Sequence, residues 1–266
     1  MKGCSVIVTT YRWPEALAAV LDALGRQTAP PLEVLVADDG SGGRTRERIA
    51  ARTARFPVPL IHVWQADRGF RAAAIRNRAA ARARGDYLVF LDGDCLVRPD
   101  FLAAHGRLAR PGAFVAGNRV LTGPAFAREV LSRGLHPETW PWWRLWRRVD
   151  RPAALLRFPL GPLRRLGRRR WQGVKTCNLG LWRADLERVN GLDEAFSGWG
   201  YEDSDLAVRL LASGLERLDG RFATTVIHLW HPERPPDAAN LARLEGRIGS
   251  GRVRAERGLD RYPGGA

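Results

Sequence analysis

Apolar and polar positions in the first hundred residues switch between strand and helix periods. Ser5–Thr9 is a β-branched apolar run that predicts a buried strand. Pro14 suits the first turn of a helix. Leu17, Val20, Leu21 and Leu24 then recur at i, i+3, i+4 and i+7, one helical face. Glu33–Ala37 predicts a second strand, closed by the turn-rich Asp38-Asp39-Gly40-Ser41-Gly42. Leu60–Trp64 predicts a third strand and the Ala/Arg-rich stretch Arg71–Arg84 a helix. Tyr87–Leu91 predicts a fourth strand, ending in Asp92-Gly93-Asp94. Strands separated by helices imply right-handed crossovers. The expected fold is α/β, with a Rossmann-like, mostly parallel central sheet flanked by helices.

Ligands of such sheets sit beyond the carboxyl ends of the strands. Polar, acidic or glycine-rich residues stand there after Thr9, after Ala37 and after Leu91. Further along, the pattern predicts a strand over Val174–Trp182, a helix over Glu202–Ser213, a strand over Ala223–His228 and a helix near Asp237–Ile248.

Composition narrows the class. The 266 residues are 45% hydrophobic and 27% charged, which excludes a disordered chain, a collagen-like chain and a disulfide scaffold. The three cysteines, Cys4, Cys95 and Cys177, include no CxxC pair, so a zinc ribbon and a thioredoxin-like motif are excluded. Scattered thiols fit a reducing cytoplasm. The opening run from Met1 to Val8 reads as a strand rather than a signal peptide. No apolar run approaches the roughly 20 residues of a membrane-spanning helix.

The 43 Lys+Arg and 28 Asp+Glu give a formal charge of +15. Its location matters more than its size. Between Arg144 and Gln172 there are ten arginines and one acid, Asp150. Residues 136–172 also hold Trp140, Trp142, Trp143, Trp146 and Trp171, half of the ten tryptophans. With Leu155, Leu156, Phe158, Leu160, Leu163 and Leu166, this segment suits an anionic membrane surface. An acidic glycan acceptor and a solvated, partly ordered insertion are the rival readings.

Three constellations carry chemistry. In Asp92-Gly93-Asp94, two carboxylates flank a glycine that permits close ligand approach. Hard oxygen ligands of this kind suit Mg²⁺ or Mn²⁺ bridging to substrate phosphates. Either His228 or His231 could complete that shell. Asp38-Asp39-Gly40-Ser41 offers a carboxylate to a base N–H or to ribose hydroxyls. In Gly198-Trp199-Gly200-Tyr201-Glu202-Asp203-Ser204-Asp205, three acids gather at a helix start, where the dipole favours negative charge. One of them could act as general base toward a hydroxyl, and the neighbouring indole could stack on a sugar ring.

These stretches resemble, in order, the signatures of glycosyltransferase family 2: Ser5-Val6-Ile7-Val8-Thr9-Thr10-Tyr11, Val36-Ala37-Asp38-Asp39-Gly40-Ser41, Arg76-Asn77 and Phe90-Leu91-Asp92-Gly93-Asp94. Trp199 to Leu206 and His228 resemble a carboxyl-terminal galactosyltransferase-type region. The resemblance implies a GT-A fold over residues 1–232, with a nucleotide-binding half (1–118), the basic insertion (136–172) and an acceptor and catalytic half (173–232). Residues 233–266 follow as a tail. It implies an inverting, metal-dependent transfer of a hexose or N-acetylhexosamine from a UDP-sugar to a glycan or lipid-linked acceptor. Thr10 and Tyr11 would line the nucleotide pocket, and Asp39, or Asp38 beside it, would bond the uracil. Arg76 would support the base or diphosphate and Asp92 would face the ribose. Asp94 and His228 would bind Mn²⁺ or Mg²⁺. Asp203 would be the base, Glu202 would hold a hydroxyl, and Trp199 and Asn178 would shape the acceptor side. Cytoplasmic location is expected, with peripheral contact at the inner face of the membrane.

Two other functions compete. A nucleotidyltransferase acting on sugar phosphates wants a glycine-rich phosphate loop after the first strand, and Thr9-Thr10-Tyr11-Arg12-Trp13-Pro14 has no glycine. A basic nucleic-acid-binding module accounts for the +15 but leaves the acidic strand ends unexplained, so nucleic acid is not an expected partner.

Overall fold

A computed structural model describes residues 3–233 and 235–262. Met1 and Lys2 of the opening run lie outside the described residues, as do Arg234 and residues 263–266 of the segment set apart as a tail. β1 (Cys4–Thr10), β2 (Glu33–Asp38), β3 (Leu60–Trp64) and β4 (Tyr87–Asp92) run parallel. The chain adds the shorter β5 (Cys95–Leu96), β6 (Ala113–Ala116), β7 (Arg119–Leu121), β8 (Asn178–Trp182), β9 (Glu216–Asp219) and β10 (Val226–His228). A seven-stranded sheet has the order β3-β2-β1-β4-β8-β6-β9, with β8 antiparallel to both neighbours. A three-stranded sheet has the order β5-β10-β7. Among the described residues eight helices accompany them: α1 (Pro14–Leu24), α2 (Gly43–Thr53), α3 (Ala72–Arg82), α4 (Phe101–Leu108), α5 (Pro124–Arg133), α6 (Arg183–Arg188), α7 (Glu202–Ala212) and α8 (Ala238–Arg247).

The central strands are apolar on both faces because helices cover both. Val6, Val8, Val34, Val36, Val89 and Leu91 pack on one side with Leu17, Leu21 and Leu24 of α1. Ile7, Leu35, Leu88 and Phe90 alternate to the other side, against Ile75 of α3 and Leu206 and Leu210 of α7. Removing one of these large side chains, as in Phe90→Ala, is expected to cost about 3–5 kcal/mol.

Register delivers the chemistry. Thr10 lies opposite Asp38 and Thr9 opposite Asp92, so three strand ends finish level. Gly93 closes onto β1, its N–H donating to the Thr9 carbonyl at 2.7 Å. A Cβ at Gly93 would stand 3.0 Å from that same oxygen, so the close turn favours glycine. In the small sheet His228 pairs with Cys95, and the Leu229 N–H donates to the Asp94 carbonyl at 2.9 Å. Asp94 and the histidines at the end of β10 are thereby neighbours.

Two predicted strands begin later than the pattern suggested. The stretch Val174–Cys177 is turn, and β8 starts at Asn178, whose N–H donates to the Lys175 carbonyl. Ala223 and Thr224 likewise turn back on the Gly220 carbonyl before β10 begins at Val226. The basic segment is more ordered than a solvated insertion. It makes four short 3-10 turns, Pro137–Thr139, Trp142–Leu145, Pro152–Leu155 and Gly161–Arg165. Leu145 and Leu155 enter the first core, and Trp140 and Trp142 pack against it. Among the described residues no helix is long and apolar enough to cross a membrane.

The carboxyl-terminal segment docks on the body. Arg247 of α8 reaches Asp205 of α7 (3.1 Å) and Asp193 (2.8 Å). Asn240 donates to the carbonyls of Ser197 and Gly200, both at 3.0 Å. This holds the Gly198–Tyr201 loop, where Gly198, Gly200 and Tyr201 all have positive φ.

Candidate active site

Asp94, His228 and His231 form one cluster, their ligand atoms all within 4.8 Å of one another. His228 Nε2 lies 3.5 Å from Asp94 Oδ1 and His231 Nε2 lies 3.4 Å from Asp94 Oδ2. Those distances exceed good hydrogen bonds, so three donors converge without satisfying one another. Burial lowers the His228 pKa to about 4 despite the nearby Asp94. Burial also raises the Asp94 pKa, against the pull of His228. One carboxylate and two imidazoles fit a divalent transition ion. The sequence left His228 and His231 as alternatives; the fold brings both to Asp94.

Arg76 of α3 ties the second cluster together. Its guanidinium donates to Thr9 Oγ1 (3.0 Å), Asp92 Oδ1 (3.0 Å) and Glu202 Oε1 (3.1 Å), and Asp203 Oδ1 is 3.7 Å away. Burial opposes its charge, but Asp92, Asp203 and Glu202 outweigh burial and raise its pKa further. Glu202 is buried beside Asp203. Burial, then the Asp203 charge, push its carboxyl up to about 7. Glu202 and Asp203 open α7, where free backbone N–H groups and the helix dipole favour acids. Thr176 donates to Asp203 Oδ1 at 2.6 Å. Thr176 and Arg76 both address Oδ1, which leaves Oδ2 to accept a proton.

The nucleotide side is built at the ends of β1 and β2. Thr10 is buried there, and the Tyr11 hydroxyl donates to Asp67 Oδ2 at 3.0 Å. Asp39 accepts from Gln65 Nε2 (2.6 Å) and from the Arg71 backbone N–H (2.8 Å), and burial raises its pKa. Each oxygen of Asp39 keeps a lone pair. Asp38 is different. It is fully buried, accepts from the Ser41 N–H (2.8 Å), and pairs with His62 Nε2 (2.9 Å). Asp38 therefore bonds inward and locks the turn, unlike Asp39 beside it.

Asn178 also bonds inward. It is buried, donates to the carbonyls of Asn118 and Thr224, and bonds to His105 Nε2 through Oδ1. Its side chain is engaged in the interior by His105, Asn118 and Thr224 rather than presented at the surface. Trp199 is partly exposed on its glycine-flanked loop. Gln65, Asp67, Arg71 and Thr176 were not singled out from the sequence. A polar residue just past the end of β3 is the signal that could have found Gln65; Thr176 has none.

Comparisons with known proteins supply the family and the fold. The model of "Glycosyl transferase family 2" matches residues 5–160, and that of the "N-terminal domain of galactosyltransferase" matches residues 167–236. The join falls inside the basic segment. A validoxylamine A glucosyltransferase of Streptomyces hygroscopicus subsp. limoneus is 30% identical over 276 residues, covering 90% of this chain and 53% of that protein. The chain spans about half the length of the validoxylamine A glucosyltransferases it matches. Among solved structures, a mannosyltransferase from Pyrobaculum calidifontis in complex with GDP-Man and Mn²⁺ matches with a TM-score of 0.57 at 20% identity, covering 91% of this chain and 60% of that one. TarS of S. aureus (residues 1–349) matches with a TM-score of 0.64 at 15% identity, covering 98% of this chain and 68% of that one. These likenesses establish a GT-A fold. With more than half of its length matched by one family model, the chain belongs to glycosyl transferase family 2.

Proposed function

We propose that this chain is an inverting glycosyltransferase that uses a divalent cation, and that it moves a hexose or N-acetylhexosamine from a UDP-sugar to a hydroxyl of a glycan or lipid-linked acceptor. The observation that carries the reading is convergence. Asp94 gathers with His228 and His231, Arg76 of α3 joins Asp92 to Glu202 and Asp203 of α7, and Asp92 and Asp94 stand two residues apart at one strand end, which links the two clusters. Asp94, His228 and His231 would hold the cation. Two imidazoles favour Mn²⁺ over Mg²⁺, which prefers oxygen ligands. When bound, such an ion offsets charge developing on the leaving diphosphate.

The chain's own groups do the rest. Thr10, Tyr11 and Asp39 receive the nucleoside, with Asp39 accepting the uracil N–H. Arg76 stays charged and fixes Asp92 toward the ribose. Asp203 Oδ2 takes the proton from the acceptor hydroxyl as the oxygen attacks the anomeric carbon. Thr176 and Arg76 anchor Oδ1 and so aim that carboxylate. Glu202, with its carboxyl pushed up to about 7, can donate a hydrogen bond to a sugar hydroxyl as well as accept one. Attack from the Asp203 side, opposite the diphosphate, inverts the anomeric configuration. Trp199 offers its face to the acceptor ring.

A panel of UDP-sugars assayed with Mn²⁺, with product configuration read by NMR, tests this. One UDP-sugar should be turned over with inversion and Mn²⁺ dependence. Retention of configuration, or turnover unaffected by chelation, would contradict the proposal.

A further inference from the structure

The fold neutralises the basic segment unevenly. Arg148 pairs with Glu129 (2.9 Å), Arg151 with Asp150 (2.8 Å), Arg165 with Glu216 (2.8 Å), and Arg157 with Asp100. Arg164 is buried and donates to the carbonyls of Asp219 and Arg221. Arg144, Arg147, Arg169 and Arg170 have no acidic partner among the described residues. Two of these four flank an exposed aromatic group. Trp143 is 63% and Trp146 is 53% exposed, while Trp142 touches both rings and packs its other side on the core. Arg144 lies over the Trp140 ring at 4.4 Å, which fixes its guanidinium near the indoles. Trp142, Trp143, Trp146, Arg144, Arg147 and Arg148 line an open cleft of about 630 Å³.

Large exposed indoles gathered in one patch mark an interaction surface, and cations without acidic partners beside them favour an anionic one. We propose that the Trp142–Arg148 face is a docking surface for an anionic lipid bilayer. Indoles settle at the headgroup level, and arginines meet the lipid phosphates. An acidic polysaccharide would use the same indoles and guanidiniums. It would gain little from Leu163 and Leu166, exposed to 52% and 83% on the same segment, whereas a bilayer can cover aliphatic side chains.

The position of this face has a consequence. Val149 bridges to Thr122, and Thr122 Oγ1 accepts from the Trp230 N–H at 2.8 Å, two residues beyond His228. The docking face is thus tied through one bridge to the strand end that carries the histidine cluster. A lipid-borne acceptor held at the surface would be presented to the acceptor side. The docking claim itself does not depend on which sugar is transferred or on the catalytic assignments.

Vesicle flotation tests it, comparing phosphatidylcholine alone with phosphatidylcholine mixed with phosphatidylglycerol, and adding heparin as a soluble polyanion arm. The full chain should float with anionic vesicles only, with a blue-shifted tryptophan emission and weaker binding as salt rises. The double variant Trp143→Ser/Trp146→Ser should lose at least roughly tenfold in binding. Arg144→Gln/Arg147→Gln, on exposed side chains, should lose about fivefold per arginine. Both should retain Mn²⁺-dependent donor hydrolysis. Equal or absent flotation with the two vesicle types would overturn the proposal. So would unchanged vesicle binding in both variants, or heparin binding by a chain that ignores vesicles.

Discussion

Two groups of buried acids meet at α7, and the fold treats them in opposite ways. Asp193 and Asp205 are fully buried and closed off by Arg209 and Arg247, at 2.8 to 3.1 Å. Asp94 is largely enclosed yet meets two imidazoles and the Cys95 thiol rather than a guanidinium, and Asp203 Oδ2 has no hydrogen-bond partner among the described residues. Acids that hold the fold carry their counter-charges in the sequence. Asp203 shares Arg76 with Asp92 and Glu202, and Asp94 has no guanidinium partner among the described residues, so under the proposed function both are completed by a bound cation or substrate. Asp203 and Asp205 stand two residues apart in one motif, and positions i and i+2 of a helix do not share a face. Asp203 faces Thr176 and Arg76, and Asp205 faces α8.

The contrast is broken or sharpened by substitution, and the largest effect is expected at Asp203. Asp203→Asn should lower transfer by about 10²–10⁴ while UDP binding and the melting temperature stay near wild type. Comparable turnover in that variant would remove the base assignment. Arg247→Ala is the counterpart on the sealed side. It strips Asp193 of its guanidinium partner and leaves Asp205 with Arg209 alone, and it should destabilise by about 3–5 kcal/mol in urea titrations. A loss under about 1 kcal/mol would show that the network is solvated.

Glu202 predicts a pH effect of smaller size. Its folded pKa of about 7 lies above its usual value of 4.5, so the folded state keeps a proton that the unfolded state releases. That contribution is complete below about pH 4.5 and is lost as pH rises toward 7, with a slope of up to about 1.4 kcal/mol per pH unit. Glu202→Gln should flatten the slope over that window. An unchanged slope would place the proton elsewhere. The smallest effect is expected at Thr176→Ala, which removes one hydrogen bond to Asp203 and should lower kcat about tenfold with KM for donor held. A Thr176→Ser variant should recover most of it, because the hydroxyl rather than the methyl aims the carboxylate.

Much of the fold was legible because its period is strong. The α1 stripe of Leu17, Val20, Leu21 and Leu24 is buried as the spacing predicts. α2 was not, because only Thr45 and Ile49 are buried on an Arg-rich helix, and two residues make no stripe. β5 is two residues long and carries no period at all, although it positions Asp94. Within the candidate site, Asp92 and Asp94 stood out because acids follow an apolar strand, and Glu202 and Asp203 because acids gather at a helix start. It was not legible where burial decides. Asp38 and Asp39 are identical in sequence context, and only the turn shows that Asp38 bonds inward to Ser41 and His62. Asn178 begins a strand as a ligand contact could, but its neighbours His105 and Thr224 come from distant stretches. Thr176 was hidden by the late start of β8.

The most direct test of the central claim is calorimetric titration of UDP with and without Mn²⁺, on wild type and Asp94→Ala. UDP should bind wild type tightly only with Mn²⁺. Asp94→Ala should weaken that binding by more than the roughly tenfold that loss of an outer partner costs a metal site. Its melting temperature should be unchanged or higher, since an uncompensated buried acid is gone. Equal Mn²⁺-dependent UDP affinity in the two proteins would contradict the account, because Asp94 would then hold no cation.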